Sequence, residues 1–164
     1  MGARPNESER GCVYCDYGSP DVLRLQEIEK PVPNDNQVLI KVHAASVNPL
    51  EWHFLRGIPY VMRLETGLRK PKSPRLGTDV AGEVAAVGKN VTAFKPGDQV
   101  FGACDGAFDE YCLGKAQLTM NPASATYDEA AAGPLAGISA LQGWRGQGDF
   151  QASPTGVPHG RAGG

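Results

Sequence analysis

The stretch GTDVAGEVAAVGKNVTAFKPGDQVFG, Gly77 to Gly102, constrains the fold more than any other part of the chain. It reads as three short strands, VAGEVAAV, VTAF and DQVFG, with turn chemistry between them. Lys95-Pro96-Gly97-Asp98 suits a type II turn, because proline presets the second position and glycine accepts a positive φ at the third. Gly82 falls inside the first strand and so marks a bulge or the close approach of another backbone. Short strands, a glycine within one of them and tight corners predict a mainly β fold, a small and strongly curved barrel.

The flanking sequence agrees. GCVYCDY and VLRLQEI, parted by Gly18-Ser19-Pro20-Asp21, predict a hairpin or meander. In QVLIKVHAASV, the residues Val38, Ile40, Val42 and Ala44 share one face while Lys41 and His43 take the other, which is the period of a strand. A short helix is predicted from about Pro49 to Arg56: Asn48 can cap it, Pro49 suits its first position, Glu51 completes a capping box and Gly57 stops it. GAFDEYCL, Gly106 to Leu113, predicts one more strand. Thr126 and Glu129 form a second capping box, opening the small-residue run DEAAAG, which Gly133-Pro134 breaks before LAGISALQG.

A length of 164 residues suits one domain. The net charge of −2 gives no reason to expect nucleic acid or an anionic membrane as partner. The loop RLETGLRKPKSPR gathers Arg63, Arg69, Lys70, Lys72 and Arg75; no aromatic platform accompanies it, and it reads as a solvated loop held extended by Pro71 and Pro74. MGARPNESER has no apolar signal region, Asn6 stands where an acylation signal needs Ser or Thr, and no stretch approaches a bilayer span. The expectation is a cytoplasmic protein. Cys12, Cys15, Cys104 and Cys112 lack a histidine at zinc-knuckle spacing and read as structural thiols.

Taken in order, YGSPDVLRLQE, VLIKVHAASVNPLEW, LGTDVAGEVAAVG, FKPGDQVFG, GAFDEY and GPLAGISALQG resemble the N-terminal half of the medium-chain dehydrogenase/reductase superfamily. Within it the resemblance is nearest to zinc-independent, quinone-oxidoreductase-like members. It implies a GroES-like catalytic barrel, normally followed by a Rossmann domain that binds NADPH, and hydride transfer to a quinone or another α,β-unsaturated carbonyl. Zinc-dependent relatives carry a Cys at the position of Asn48 and Gly-His-Glu at Gly77-Thr78-Asp79; neither ligand is present, nor is the four-cysteine lobe after the GDxV motif. No zinc is therefore expected. The resemblance puts Asn48 near the nicotinamide, and Pro134 and Ser139 on the bridge toward the cofactor. Without a metal, hydrogen-bond donors or water must polarise the substrate carbonyl: Asn48, His53 and Tyr60 are the catalytic candidates.

Beyond Gly143 the resemblance fades. Gly160, Gly163 and Gly164 reach the glycine-loop position for a cofactor, but Pro158 and His159 occupy what should be a buried parallel strand. The expected organisation is a tail at 1–10, the barrel at 11–125, a helical bridge at 126–143, and at 144–164 a degenerate start of a Rossmann domain that is otherwise absent, or a disordered tail. Two functions follow: the barrel portion of a truncated NAD(P)H-dependent oxidoreductase, inactive alone and not expected to bind NADPH by itself, or a stand-alone GroES-like module that binds a protein partner.

Overall fold

The computed structural model describes residues 7–147. Strands β1 (Ser8–Val13) and β2 (Arg24–Glu29) form an antiparallel pair, joined through a 3-10 turn at Pro20–Val22. β3 (Val38–Ala45), β4 (Asp79–Val87), β5 (Gln99–Asp105) and β6 (Tyr111–Met120) close into a barrel in which β3 pairs with both β4 and β6. The helices are α1 (Pro49–Arg56), α2 (Arg63–Thr66), α3 (Tyr127–Ala131) and α4 (Pro134–Gln147). The mainly β, curved-barrel architecture is the one the Gly77–Gly102 stretch predicts.

Alternation fills the barrel. Ile40, Val80, Val84, Val100 and Cys112 point inward with almost no exposure, and burying each aliphatic side chain is worth roughly 1.5–3 kcal/mol. Gly82 lies opposite Val42, and a Cβ there would stand 2.2 Å from the Lys41 carbonyl oxygen. β3 and β4 approach too closely at this point for any side chain. The Lys95–Asp98 turn forms as expected, with the Asp98 N–H donating to Lys95 O at 3.1 Å and φ +93° at Gly97.

α1 has the predicted bounds. The Asn48 N–H donates to Glu51 Oε2 at 2.8 Å, and Gly57 ends the helix in the left-handed region at φ +60°. Thr126 and Glu129 cap α3 reciprocally, at 2.9 and 3.2 Å.

Several boundaries differ from the sequence reading. β1 begins at Ser8, inside the expected 1–10 tail, because Ser8 pairs with Glu29 and the Glu9 side chain is buried. VTAF is not a strand: the Val91 N–H turns back to Gly88 O at 3.0 Å, and Val91 and Phe94 lean on the core from a loop. Gly106–Glu110 is a turn, closed by the Asp109 N–H on Gly106 O at 3.0 Å, so the last strand starts only at Tyr111 and runs on to Met120. α4 continues to Gln147, past the expected end of the bridge at 143, because after Pro134 no proline occurs before Pro154. The basic loop is not wholly solvated either: Arg75 reaches inward to two buried carboxylates.

Candidate functional site

The connection from β3 to α1 delivers Ser46 and Asn48 to the start of β4, where Asp79 is 1% exposed. One carboxylate oxygen of Asp79, Oδ2, accepts three donors. They are Asn48 Nδ2 at 3.2 Å, Ser46 Oγ at 3.3 Å and the backbone N–H of Leu135 at 3.0 Å. The other hydrogen of the Asn48 amide goes to Ser46 Oγ at 3.0 Å. Facing a carboxylate fixes which amide atom is nitrogen, since only N–H can donate. Both donors of Asn48 are therefore engaged. Its Oδ1 has two lone pairs, of which the capping box with Glu51 uses at most one.

Leu135 belongs to the first turn of α4, whose backbone N–H groups have no partner within the helix. The Asp79 carboxylate supplies one and places negative charge at the positive end of the helix dipole. Through it Asn48 and the buried Pro134 are brought to one junction, whereas Ser139, farther along α4, is exposed. Gly160, Gly163 and Gly164 lie outside the described residues.

His53 and Asn48 do not share a helix face, since five positions turn an α-helix by about 140° beyond a full circle. His53 Nδ1 lies 2.9 Å from the Ile58 carbonyl oxygen, which can only accept. The Nδ1 proton is thus committed, and in the neutral ring Nε2 is an acceptor. Tyr60 is 72% exposed. Its ring is held by Arg63, whose guanidinium carbon lies 4.8 Å from the Tyr60 ring centre and 4.4 Å from that of Tyr17. The guanidinium is fixed in turn by donation to Gly57 O at 2.9 Å and Arg56 O at 3.2 Å. Around these residues Val47, Trp52, Val61, Leu64 and Leu68 expose apolar surface.

On another side of α1 lies a cavity of about 400 Å³, bounded by Tyr14, Leu50, Phe54, Leu76, Thr78 and Cys104 among others. Asn48, His53 and Tyr60 do not line it. No three His, Cys, Asp or Glu side chains among the described residues are grouped to hold a metal ion.

The profile of the alcohol dehydrogenase GroES-like domain matches residues 34–138. The chain belongs to this family. The GroES-like chain is 46% identical over 102 residues to the quinone oxidoreductase of Homo sapiens, covering 60% of this sequence and 29% of that one. Its structure aligns with the quinone oxidoreductase of Coxiella burnetii at a TM-score of 0.74 and 30% identity, over 83% of this chain and 44% of that one. A mycobacterial structure complexed with NADPH aligns at 0.70 with 30% identity, over 82% and 40% of the respective chains. The GroES-like chain thus spans less than half the length of these relatives, all within the medium-chain dehydrogenase/reductase superfamily that its motifs resemble.

Ser46, Asp79 and Leu135 escaped the sequence reading as site residues. For Asp79 a signal existed: a lone carboxylate opening the apolar run VAGEVAAV must be paired if it is buried. Leu135 contributes only its backbone, which a side-chain pattern does not reveal.

Proposed function

We propose that this GroES-like domain is the substrate-side part of a zinc-independent, NADPH-dependent reductase of quinones or other α,β-unsaturated carbonyls. The observation that carries the reading is the junction at Asp79, which fixes the Asn48 amide against the first turn of α4. Its donor set suits an organic cofactor: an amide oxygen with acceptor capacity, a helix start and a neighbouring apolar shelf at Val47 and Trp52. NADPH supplies the hydride when bound.

Asn48, with both N–H groups engaged, orients a donor such as a carboxamide through Oδ1 and does not polarise the substrate. Polarisation falls to Tyr60, whose phenol O–H is a donor, whereas the Nδ1 proton of His53 is committed to the Ile58 carbonyl oxygen. Pro134 packs the bridge helix beside the cofactor region, and Ser139 presents its hydroxyl farther along the same helix. The exposed apolar side chains exclude water from the reacting carbon once covered. No metal is needed in this scheme. Four free thiols support a reducing compartment, the cytoplasm, and no helix among the described residues is long and apolar enough to cross a membrane.

Titration of the full chain with NADPH, followed by nicotinamide fluorescence, tests the reading first, and turnover with a simple para-quinone tests it second. Saturable binding with turnover that falls roughly 10²-fold in Tyr60→Phe supports it. Absence of any saturable NADPH signal leaves the chain inactive alone, as a barrel without its cofactor domain would be; a para-quinone that then perturbs neither the Tyr60 nor the Asn48 side-chain NMR signals overturns the substrate-side reading.

A further inference from the structure

We propose that the segment from Arg56 to Lys72 docks the protein on an anionic lipid surface, with Val61, Leu64 and Leu68 entering the bilayer interface and the neighbouring cations meeting phosphate. Docking of this kind does not require the reductase reading.

Large apolar side chains are exposed here in close succession. Val61 is 66% exposed, Leu64 66% and Leu68 69%. Val61 lies in a 3-10 turn, Tyr60–Met62, and Leu64 lies three positions on, in α2, so the two share a side. Leu68 follows at the bend where Gly67 takes φ +123°. None of the three lines the cavity beside α1. An exposed apolar cluster of this kind marks a surface that meets something other than water.

The segment is held from beneath, so its exposure is built into the fold. The Lys72 N–H donates to Thr66 O at 2.7 Å and closes the bend. The Tyr17 hydroxyl donates to Gly67 O at 2.7 Å and stands 3.0 Å from Thr66 Oγ1, while Arg63 is fixed against the Tyr17 and Tyr60 rings. A surface already ordered in this way loses little freedom on docking.

Charge selects the occupant. The whole chain has a net charge of −2, yet this segment holds Arg56, Arg63, Arg69, Lys70 and Lys72 with a single acid, Glu65. Arg56, Arg69, Lys70 and Lys72 are exposed. From outside the segment Asp16 comes within 3.4 Å of Lys70 Nζ, but an ion pair so open to solvent is worth little. Cations next to Leu68 can reach phosphate along their own stems while the leucine sits deeper, which is the pattern of a peripheral membrane contact. A polyanion in water would use the cations and leave Val61, Leu64 and Leu68 wet. No helix among the described residues is long and apolar enough to cross a membrane, so the contact proposed is with the surface alone.

Cosedimentation of the full chain with lipid vesicles tests this without recourse to activity. Binding is expected to phosphatidylcholine vesicles that contain phosphatidylserine, and much less to phosphatidylcholine alone. Leu64→Ser combined with Leu68→Ser should weaken it at least about tenfold, and Arg69→Ala combined with Lys70→Ala and Lys72→Ala by a comparable factor. The substituted side chains are all exposed, so thermal melts of both variants should match the native chain. Failure of the native chain to sediment with the mixed vesicles overturns the proposal. Binding that the leucine pair leaves unaltered also overturns it, and assigns the cations to a soluble polyanion instead. Equal binding to both kinds of vesicle overturns the part given to the cations.

Discussion

Arg75 Nη1 lies 3.3 Å from Asp109 Oδ2, and the Asp109 side chain has no exposed surface. The same nitrogen stands 3.6 Å from Glu9 Oε1, whose side chain is 1% exposed. Two carboxyl groups thus share one guanidinium inside the seam between β1 and the barrel. Asp109 also accepts the Cys12 N–H at 3.0 Å, and Arg75 Nη2 donates to Glu29 O at 2.9 Å.

This seam makes stability fall with rising pH. Burial lifts the Glu9 carboxyl to about 7 and the Asp109 carboxyl to about 6, with Arg75 opposing in both cases. The unfolded chain releases these protons near pH 4, so between about 4 and 7 the folded state binds more of them and each rise in pH costs stability. The contribution is whole below pH 4 and lost as pH passes through 6 and 7. Glu110 and Glu129 act in the opposite sense in acid, their carboxyls being held low chiefly by backbone N–H groups of Arg10 and Thr126. Urea midpoints are expected to be higher at pH 5 than at pH 8, and Glu9→Gln should flatten that slope. An unchanged slope would exclude Glu9 as its source.

Gly82→Ala and Gly137→Ala should act in opposite directions. A methyl at 82 meets the Lys41 carbonyl oxygen at 2.2 Å and Ile40 Cγ2 at 2.9 Å, and such overpacking costs about 1–3 kcal/mol. At Gly137, on the exposed face of α4, nothing lies within 4 Å; alanine there favours the helix by roughly 0.5–1 kcal/mol. Thermal melts distinguish the pair.

Arg63→Met removes the guanidinium that Tyr17 and Tyr60 hold between them. Loss of two cation–π contacts and of the bonds to Gly57 O and Arg56 O is expected to cost about 1–3 kcal/mol. Segment 57–66 should then be cut sooner by a protease, while β4 amides keep their protection. If cleavage is unaffected, the stack does not order this segment.

Thr126→Ala deletes the hydroxyl that accepts the Glu129 N–H. The cost should be about 1 kcal/mol, appearing as faster amide exchange within Tyr127–Ala131 and little change elsewhere. A matching change across the barrel would mean that α3 unfolds only with the whole.

Local chemistry was legible in the sequence, and distant pairing was not. Asn48, Pro49, Glu51 and Gly57 are adjacent signals, and they fix both ends of α1. Pro96 and Gly97 specify their turn in the same way. Val91 and Phe94 mislead because burial alone looks like a strand, although their backbone pairs with no neighbouring strand. Arg75 looks like one charge among many in a basic loop; that it meets Glu9 and Asp109 depends on chain closure over long separations. The candidate site divides likewise. Asn48 was visible from its cap, whereas its anchoring by Asp79 and Leu135 follows from β4 and α4 meeting beneath it.

Closure of β3 through β6 also bears on how copies of this chain meet one another. Each barrel strand has a partner on both sides, so the barrel has no free row of N–H and C=O groups to template another molecule. The exposed ladder among the described residues is the outer side of β2, where Arg24, Glu27 and Glu29 face solvent. An incoming strand meets the charges of Arg24, Glu27 and Glu29 there beside the exposed Leu25. Self-association by strand addition is thereby opposed, and concentrated solutions should resist fibril growth for as long as the ring of four strands stays shut.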